Sequence, residues 1–188
     1  EELKGILIRN KFIYSSNQAQ DTLAFYPDEL SMKIYKPYAI TPQELLDQGV
    51  INTFSFGPTL LNDGVRDLSS KRTHLGRANP RCGIGMVEPG YFIAITVDGR
   101  QANYSVGMSL DGFAQLFYLY GCQLAYNLDG GSSTAMIFMG EYLNQHRGEG
   151  SDTQRCWTDA LLCGHSELVP TVDDPIYYDG NGPWQPIP

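Results

Sequence analysis

The residues best suited to chemistry lie in Asn127-Leu128-Asp129-Gly130-Gly131-Ser132-Ser133-Thr134. Here a carboxylate, two glycines and three hydroxyls sit between two apolar runs, Gln123-Leu124-Ala125-Tyr126 and Ala135-Met136-Ile137-Phe138-Met139. An Asp at the end of a buried strand can serve as an acid, a base or a cation ligand. Gly-Gly removes side-chain bulk, so backbone N–H groups can approach a ligand closely. The competing reading is a tight Asp-Gly turn between two strands. A second carboxylate in the same setting is Asp98 of Asp98-Gly99-Arg100, with an Arg directly after it. A third feature is the basic stretch Arg66 to Arg81, which holds Lys71, Arg72, Arg77 and His74. In an acidic chain it reads either as a solvated loop or as the rim of an anion site.

Composition bounds the partners. The chain has 188 residues and a net charge of -8, with a pI near 4.7. A general nucleic-acid binder would need a basic face, so no nucleic-acid partner is expected. No apolar run reaches the roughly 20 residues that cross a bilayer, so no membrane span is expected. Cys82, Cys122, Cys156 and Cys163 show no C-x-x-C spacing. They read as buried free thiols, or as one or two disulfides if the protein is exported. No common zinc pattern fits Cys156 with Cys163 and His165.

The elements that must position these residues are legible in outline. Gly5 to Tyr14 reads as a hairpin around Asn10-Lys11. Thr22 to Tyr26 and Met32 to Tyr35 read as strands joined through Pro27-Asp28-Glu29. Thr41-Pro42-Gln43-Glu44 is a capping box with Pro at the first helical position, and Gly49 closes that helix. Ile51 to Phe56 reads as a strand broken by Gly57-Pro58. Gly83 to Val87 and Tyr91 to Val97 read as adjacent strands. Ser109 to Tyr120 has an N-cap and an apolar face of Leu110, Phe113, Ala114, Leu116, Phe117 and Tyr120, ended by Gly121. Gly140 to Arg155 reads as a loop and Trp157 to Cys163 as a last strand. Residues 1–165 are expected to be one domain and residues 166–188 a Pro-rich, acidic, extended tail. The fold class is α+β: a central, largely antiparallel or mixed sheet with a few packed helices.

Five stretches taken together resemble the phosphodiester glycosidase domain. They are Phe54-Ser55-Phe56-Gly57-Pro58-Thr59-Leu60, Asn79-Pro80-Arg81-Cys82-Gly83-Ile84-Gly85, Thr96-Val97-Asp98-Gly99-Arg100, Tyr104-Ser105-Val106-Gly107-Met108-Ser109 and Asn127-Leu128-Asp129-Gly130-Gly131-Ser132-Ser133. The chain departs from the family pattern at Cys82, where Thr is usual, and at Ser132, where a third Gly is usual. The Asn-Gly-aromatic stretch found upstream of the first hairpin in the family has no counterpart here. The resemblance implies hydrolysis of a sugar 1-phosphodiester, which releases the sugar and leaves a phosphomonoester. It also implies a secreted or cell-surface protein of bacterial type. In that reaction positive charge develops on the sugar, so a carboxylate must attack it or activate water, and cations must hold the phosphate. Asp98 and Asp129 are then the catalytic carboxylates and Arg81 and Arg100 the phosphate ligands. Asn127, Gly130, Gly131, Ser132, Ser133 and His74 are further substrate-binding candidates. No particular cofactor is read from these residues. A divalent cation on Asp98 and Asp129 is the other use of that pair. An N-terminal piece of the same precursor is an expected partner, leaving an apolar gap beside the Gly5–Tyr14 hairpin. The alternative function is a non-catalytic glycan or cell-wall binding module.

Overall fold

The computed structural model describes residues 4–67, 76–145, 157 and 159–163. The hairpin β1 (Ile6–Arg9) and β2 (Phe12–Ser16) turns at Asn10 and Lys11, both at positive φ, as a tight two-residue connection requires. Strands β3 (Thr22–Tyr26), β4 (Ser31–Tyr35) and β5 (Asn52–Phe54) form an antiparallel sheet in the order β4-β3-β5. Helix α1 (Pro42–Asp47) starts at the Thr41 capping box. The larger sheet has five strands: β6 (Thr59–Asn62), β7 (Val65–Arg66), β8 (Arg81–Glu88), β9 (Tyr91–Val97) and β10 (Leu124–Leu128). Its order is β7-β6-β10-β8-β9, and every neighbouring pair is antiparallel. Helix α2 (Leu110–Leu119) connects the β9 end to β10. A short hairpin, β11 (Ile137–Phe138) with β12 (Glu141–Tyr142), follows the 3-10 turn Gly131–Ser133.

Side-chain alternation along the strands sorts these pieces into layers. One face of the five-stranded sheet carries Ala125 and receives Leu110, Phe113, Ala114 and Phe117 of α2. Gly83 and Gly85 of β8 form the floor under that helix. A Cβ on Gly83 would lie 2.9 Å from Phe113, and one on Gly85 2.6 Å from Phe117. The opposite face carries Ile84, Met86 and Tyr126 and packs on Leu23 and Met32 of the smaller sheet. The far face of that sheet, through Ala24 and Tyr26, packs on Ile6, Ile8, Ile40, Leu45 and Val50. Each fully buried aliphatic or aromatic side chain contributes about 1.5–3 kcal/mol. Tyr126 also stitches the two sheets. Its hydroxyl donates to the Asp21 carbonyl at 2.6 Å and accepts from the Phe56 N–H at 2.9 Å.

The expected α+β class holds in a strand-dominated form, a single domain with few helices. Trp157 and residues 159–163 carry no strand, so the last strand expected there is not formed. The Ala135–Met139 run is strand only at Ile137–Phe138, and it pairs with Glu141–Tyr142 inside the stretch read as loop. Asp129-Gly130 is not a hairpin turn, because β10 and β11 lie in different sheets. The tail at 166–188 lies outside the described residues. No helix among the described residues is long and apolar enough to cross a membrane.

Candidate active site

Strand pairing decides where the two aspartates lie. Arg81 at the start of β8 is opposite Val97 at the end of β9, and Cys82 is opposite Leu128 at the end of β10. Asp98 and Asp129, one residue beyond those ends, therefore flank the start of β8 on one sheet edge. Their backbones are two inter-strand spacings apart, about 10 Å.

Asn79-Pro80 is the hub of this edge. A Cβ on Gly99 would lie 2.7 Å from the Pro80 nitrogen. One on Gly107 would lie 2.4 Å from the Asn79 carbonyl carbon, and one on Gly130 2.7 Å from the Pro80 oxygen. Both ends of the β9–α2 loop, and the loop after β10, thus close on one dipeptide, and only glycine permits the approach. Asn79 also bridges Met108 through both backbone groups.

The two arginines do different work. Arg81 is 6% exposed. Its Nε donates to the Met108 carbonyl at 2.9 Å and its Nη2 to the Arg77 carbonyl at 2.7 Å. Burial, and then the nearby charge of Arg100, lowers its pKa from the ordinary value. Arg81 is a buried tie between loops, which corrects the expectation of a two-pronged phosphate ligand. Arg100 is exposed and at φ 55, a left-handed conformation that few side chains adopt. Its Nε and Nη2 donate to Asn79 Oδ1 at 3.1 and 2.9 Å. Its guanidinium lies over the Gly130-Gly131 turn, 3.3 Å from where a Gly131 Cβ would be.

The two carboxylates differ as sharply. Asp98 Oδ1 accepts from Asn144 Nδ2 at 2.9 Å, and Oδ2 accepts from Tyr104 Oη at 3.0 Å and the Gln145 N–H at 2.9 Å. Asp129 is exposed and accepts no hydrogen bond from the described residues. Beside it, Cys82 is half-buried. Burial, and then the Asp129 charge, pushes the Cys82 thiol up to about 11.

The remaining candidates divide. The Gly131 N–H donates to the Pro80 carbonyl at 3.0 Å, which corrects the idea that it receives a phosphate. Asn127 is buried, with Nδ2 donating to the Gly57 carbonyl at 2.8 Å, so it anchors the Gly57-Pro58 turn rather than facing a sugar. Ser132 and Ser133 are half-buried in the 3-10 turn. His74, Lys71 and Arg72 lie outside the described residues. Reasoning from sequence passed over Asn79, Tyr104 and Asn144 as site residues. The first two stand inside quoted motifs, whereas Asn144 carries no local signal.

This edge suits an anion better than a cation. The N–H groups around Asp98 and the guanidinium of Arg100 would repel a metal ion. Among the described residues no three His, Cys, Asp or Glu side chains gather to hold one. Cys82, Cys122 and Cys163 are free thiols.

The family model for phosphodiester glycosidases matches residues 2–162, which include every element of this edge. The chain belongs to the phosphodiester glycosidase family. It is similar to the SPbeta prophage-derived uncharacterized protein YomE of Bacillus subtilis strain 168, at 31% identity over 150 residues. That match covers 76% of this chain and 23% of the relative, so the chain spans under a quarter of the relative's length. Among solved structures it is similar to the catalytic domain of zebrafish N-acetylglucosamine-1-phosphodiester alpha-N-acetylglucosaminidase, auto-inhibited by its pro-peptide. The TM-score is 0.64 at 17% identity, over 82% of this chain and 55% of that one. This likeness shows that the two share a fold.

Proposed function

We propose that this phosphodiester glycosidase domain hydrolyses a sugar 1-phosphodiester, yielding the free sugar and a phosphomonoester. The observation that carries the reading is an exposed carboxylate, Asp129, next to a turn overlaid by the Arg100 guanidinium. Arg100 binds a phosphate oxygen, and the buried charge of Arg81 adds attraction from behind. Asp129 attacks the anomeric carbon or takes a proton from water as the glycosidic C–O bond breaks. The bond electrons leave with the phosphate oxygen, so the leaving group needs little protonation. Asp98, with both oxygens engaged, is the less free of the two carboxylates. A secreted or cell-surface placement, which the family resemblance implies, is proposed with it.

The test is incubation of the full-length protein with a panel of sugar 1-phosphodiesters, α and β anomers, assayed for free sugar. Release that is lost in Asp129→Asn supports the reading. Tight binding of the panel with no release would instead favour a glycan-binding module. Neither binding nor release would overturn both.

A further inference from the structure

Asp98 sits at the strand end where a catalytic acid is expected, yet two of its three side-chain hydrogen bonds lead away from the reaction, the third coming from Tyr104. Its partners Asn144 and Gln145 close the segment 134–145 that holds the β11–β12 hairpin. Asn144 is itself fixed at three points. Its Oδ1 accepts from the Met136 N–H at 2.8 Å, while its Nδ2 donates to the Thr134 carbonyl at 3.2 Å and to Asp98. The Leu143 N–H donates to the Met136 carbonyl at 2.8 Å, closing a small ring of backbone. From the other side, Gln101 Nε2 donates to the Gln145 carbonyl at 3.1 Å, and Ser105 Oγ donates to the Asp98 carbonyl at 2.5 Å. Thr134, the first residue of the segment, directly follows the Gly131–Ser133 turn that lies beneath Arg100.

We infer that Asp98 is a positioning residue that fastens the 134–145 hairpin to the rim of the Asp129 site. A carboxylate is required because each of its oxygens meets a group that can only donate, Asn144 Nδ2 on Oδ1 and the Gln145 N–H on Oδ2, where Tyr104 Oη also donates. Asn144 cannot flip to offer an oxygen, since its Oδ1 is held by the Met136 N–H. The Gln145 backbone can only donate. An Asn at position 98 would therefore turn its NH2 against a donor in either orientation, and at least one tie would break. The fastening holds the Gly131–Ser133 turn from its C-terminal side, as the Pro80 carbonyl holds it from the front. Its loss would loosen the surface that receives substrate while leaving Asp129 chemically intact.

The part of this inference that concerns catalysis rests on the function proposed above, and the part that concerns the hairpin does not. Both are read from three full-length variants: Asp98→Asn, Asn144→Ala and the exchange Asp98→Asn with Asn144→Asp. The exchange restores an amide opposite a carboxylate and gives up only the Thr134 tie. Amide hydrogen exchange is followed by NMR at Met136, Leu143 and Gln145. Both single variants should exchange about tenfold faster or more at these amides, with core strands unchanged, and the double variant should recover most of the protection. On a diester that the wild type cleaves, both single variants should raise KM by about tenfold with kcat within about threefold, and the double variant should restore KM. Unchanged exchange in Asp98→Asn overturns the inference. So does a double variant with restored exchange and a kcat still reduced about a hundredfold or more, since Asp98 would then be acting on the substrate itself. If the wild type cleaves no diester, the proposed function fails and the exchange data alone decide the hairpin.

Discussion

Asp129 and Asp98 look alike as text, each closing an apolar strand with Asp-Gly, and they part company only in their surroundings. Asp129 is exposed and takes no bond from the described protein, so its removal should cost reaction and not stability. Asp129→Asn is expected to lower kcat by about 10²–10⁴-fold, with an unchanged thermal midpoint in the same preparation. The arginines give the complementary contrast. Arg81→Lys cannot reach both the Met108 and Arg77 carbonyls from one point charge, so it should lose about 1.5–3 kcal/mol of stability, seen as a lower urea midpoint. Arg100→Lys should leave that midpoint in place and raise KM for a cleaved diester by about tenfold. Sequence alone identified these four residues because each sits beside Gly or Pro at a strand end. It could not separate their roles, because two of the three donors that engage Asp98, Asn144 and Gln145, come from far along the chain.

At the scale of elements, local chemistry was a good guide where it was complete. The Thr41 capping box forms with both of its bonds, and Ser109 caps α2 through the Gly112 N–H. The β6–β7 hairpin was passed over although its turn, Asp63-Gly64, has both residues at positive φ, the signature of a two-residue connection. Trp157 to Cys163 failed in the opposite sense, being apolar enough for a strand yet not paired as one. The contact between α2 and β8 yields a prediction of its own. A methyl group at Gly83 would meet the Tyr126 carbonyl oxygen at 2.8 Å and Phe113 at 2.9 Å. Gly83→Ala should therefore cost about 1–3 kcal/mol through overpacking, with the denaturant m-value unchanged.

Across the whole molecule, the order β7-β6-β10-β8-β9 was not legible, because β10 enters between strands that precede it in the chain by dozens of residues. Alternation assigns faces to a strand, but no local signal names its neighbours. That insertion is what sets Asp129 beside Cys82, and it has a consequence for pH. The folded thiol titrates at about 11 against an ordinary 9.0, because burial first and the Asp129 charge second disfavour the thiolate. Its raised pKa means that the unfolded chain loses the proton first as pH rises. The stability tied to Cys82 is therefore fully present below pH 9.0 and is lost between 9.0 and about 11. Urea midpoints measured across that window should fall less steeply in Cys82→Ser than in the wild type. In the native protein at pH 8, alkylation of exposed Cys163 should outpace that of Cys82.

The three glycines that close on Asn79-Pro80 bear on motion as well as on shape. Gly99, Gly107 and Gly130 bring two loops, the β9–α2 loop near both its ends and the loop after β10, to backbone contact with one dipeptide, with no flexible side chain between them to take up slack. The pinned ends of these loops cannot swing independently, so a lid hinged at them cannot be made from either. The floor of the site is then preformed, and substrate entering it needs little loop ordering, which leaves more of the interaction free energy for holding and orienting the reacting bond. Nanosecond backbone order parameters at these three glycines should match those of the β8 core, despite their loop positions.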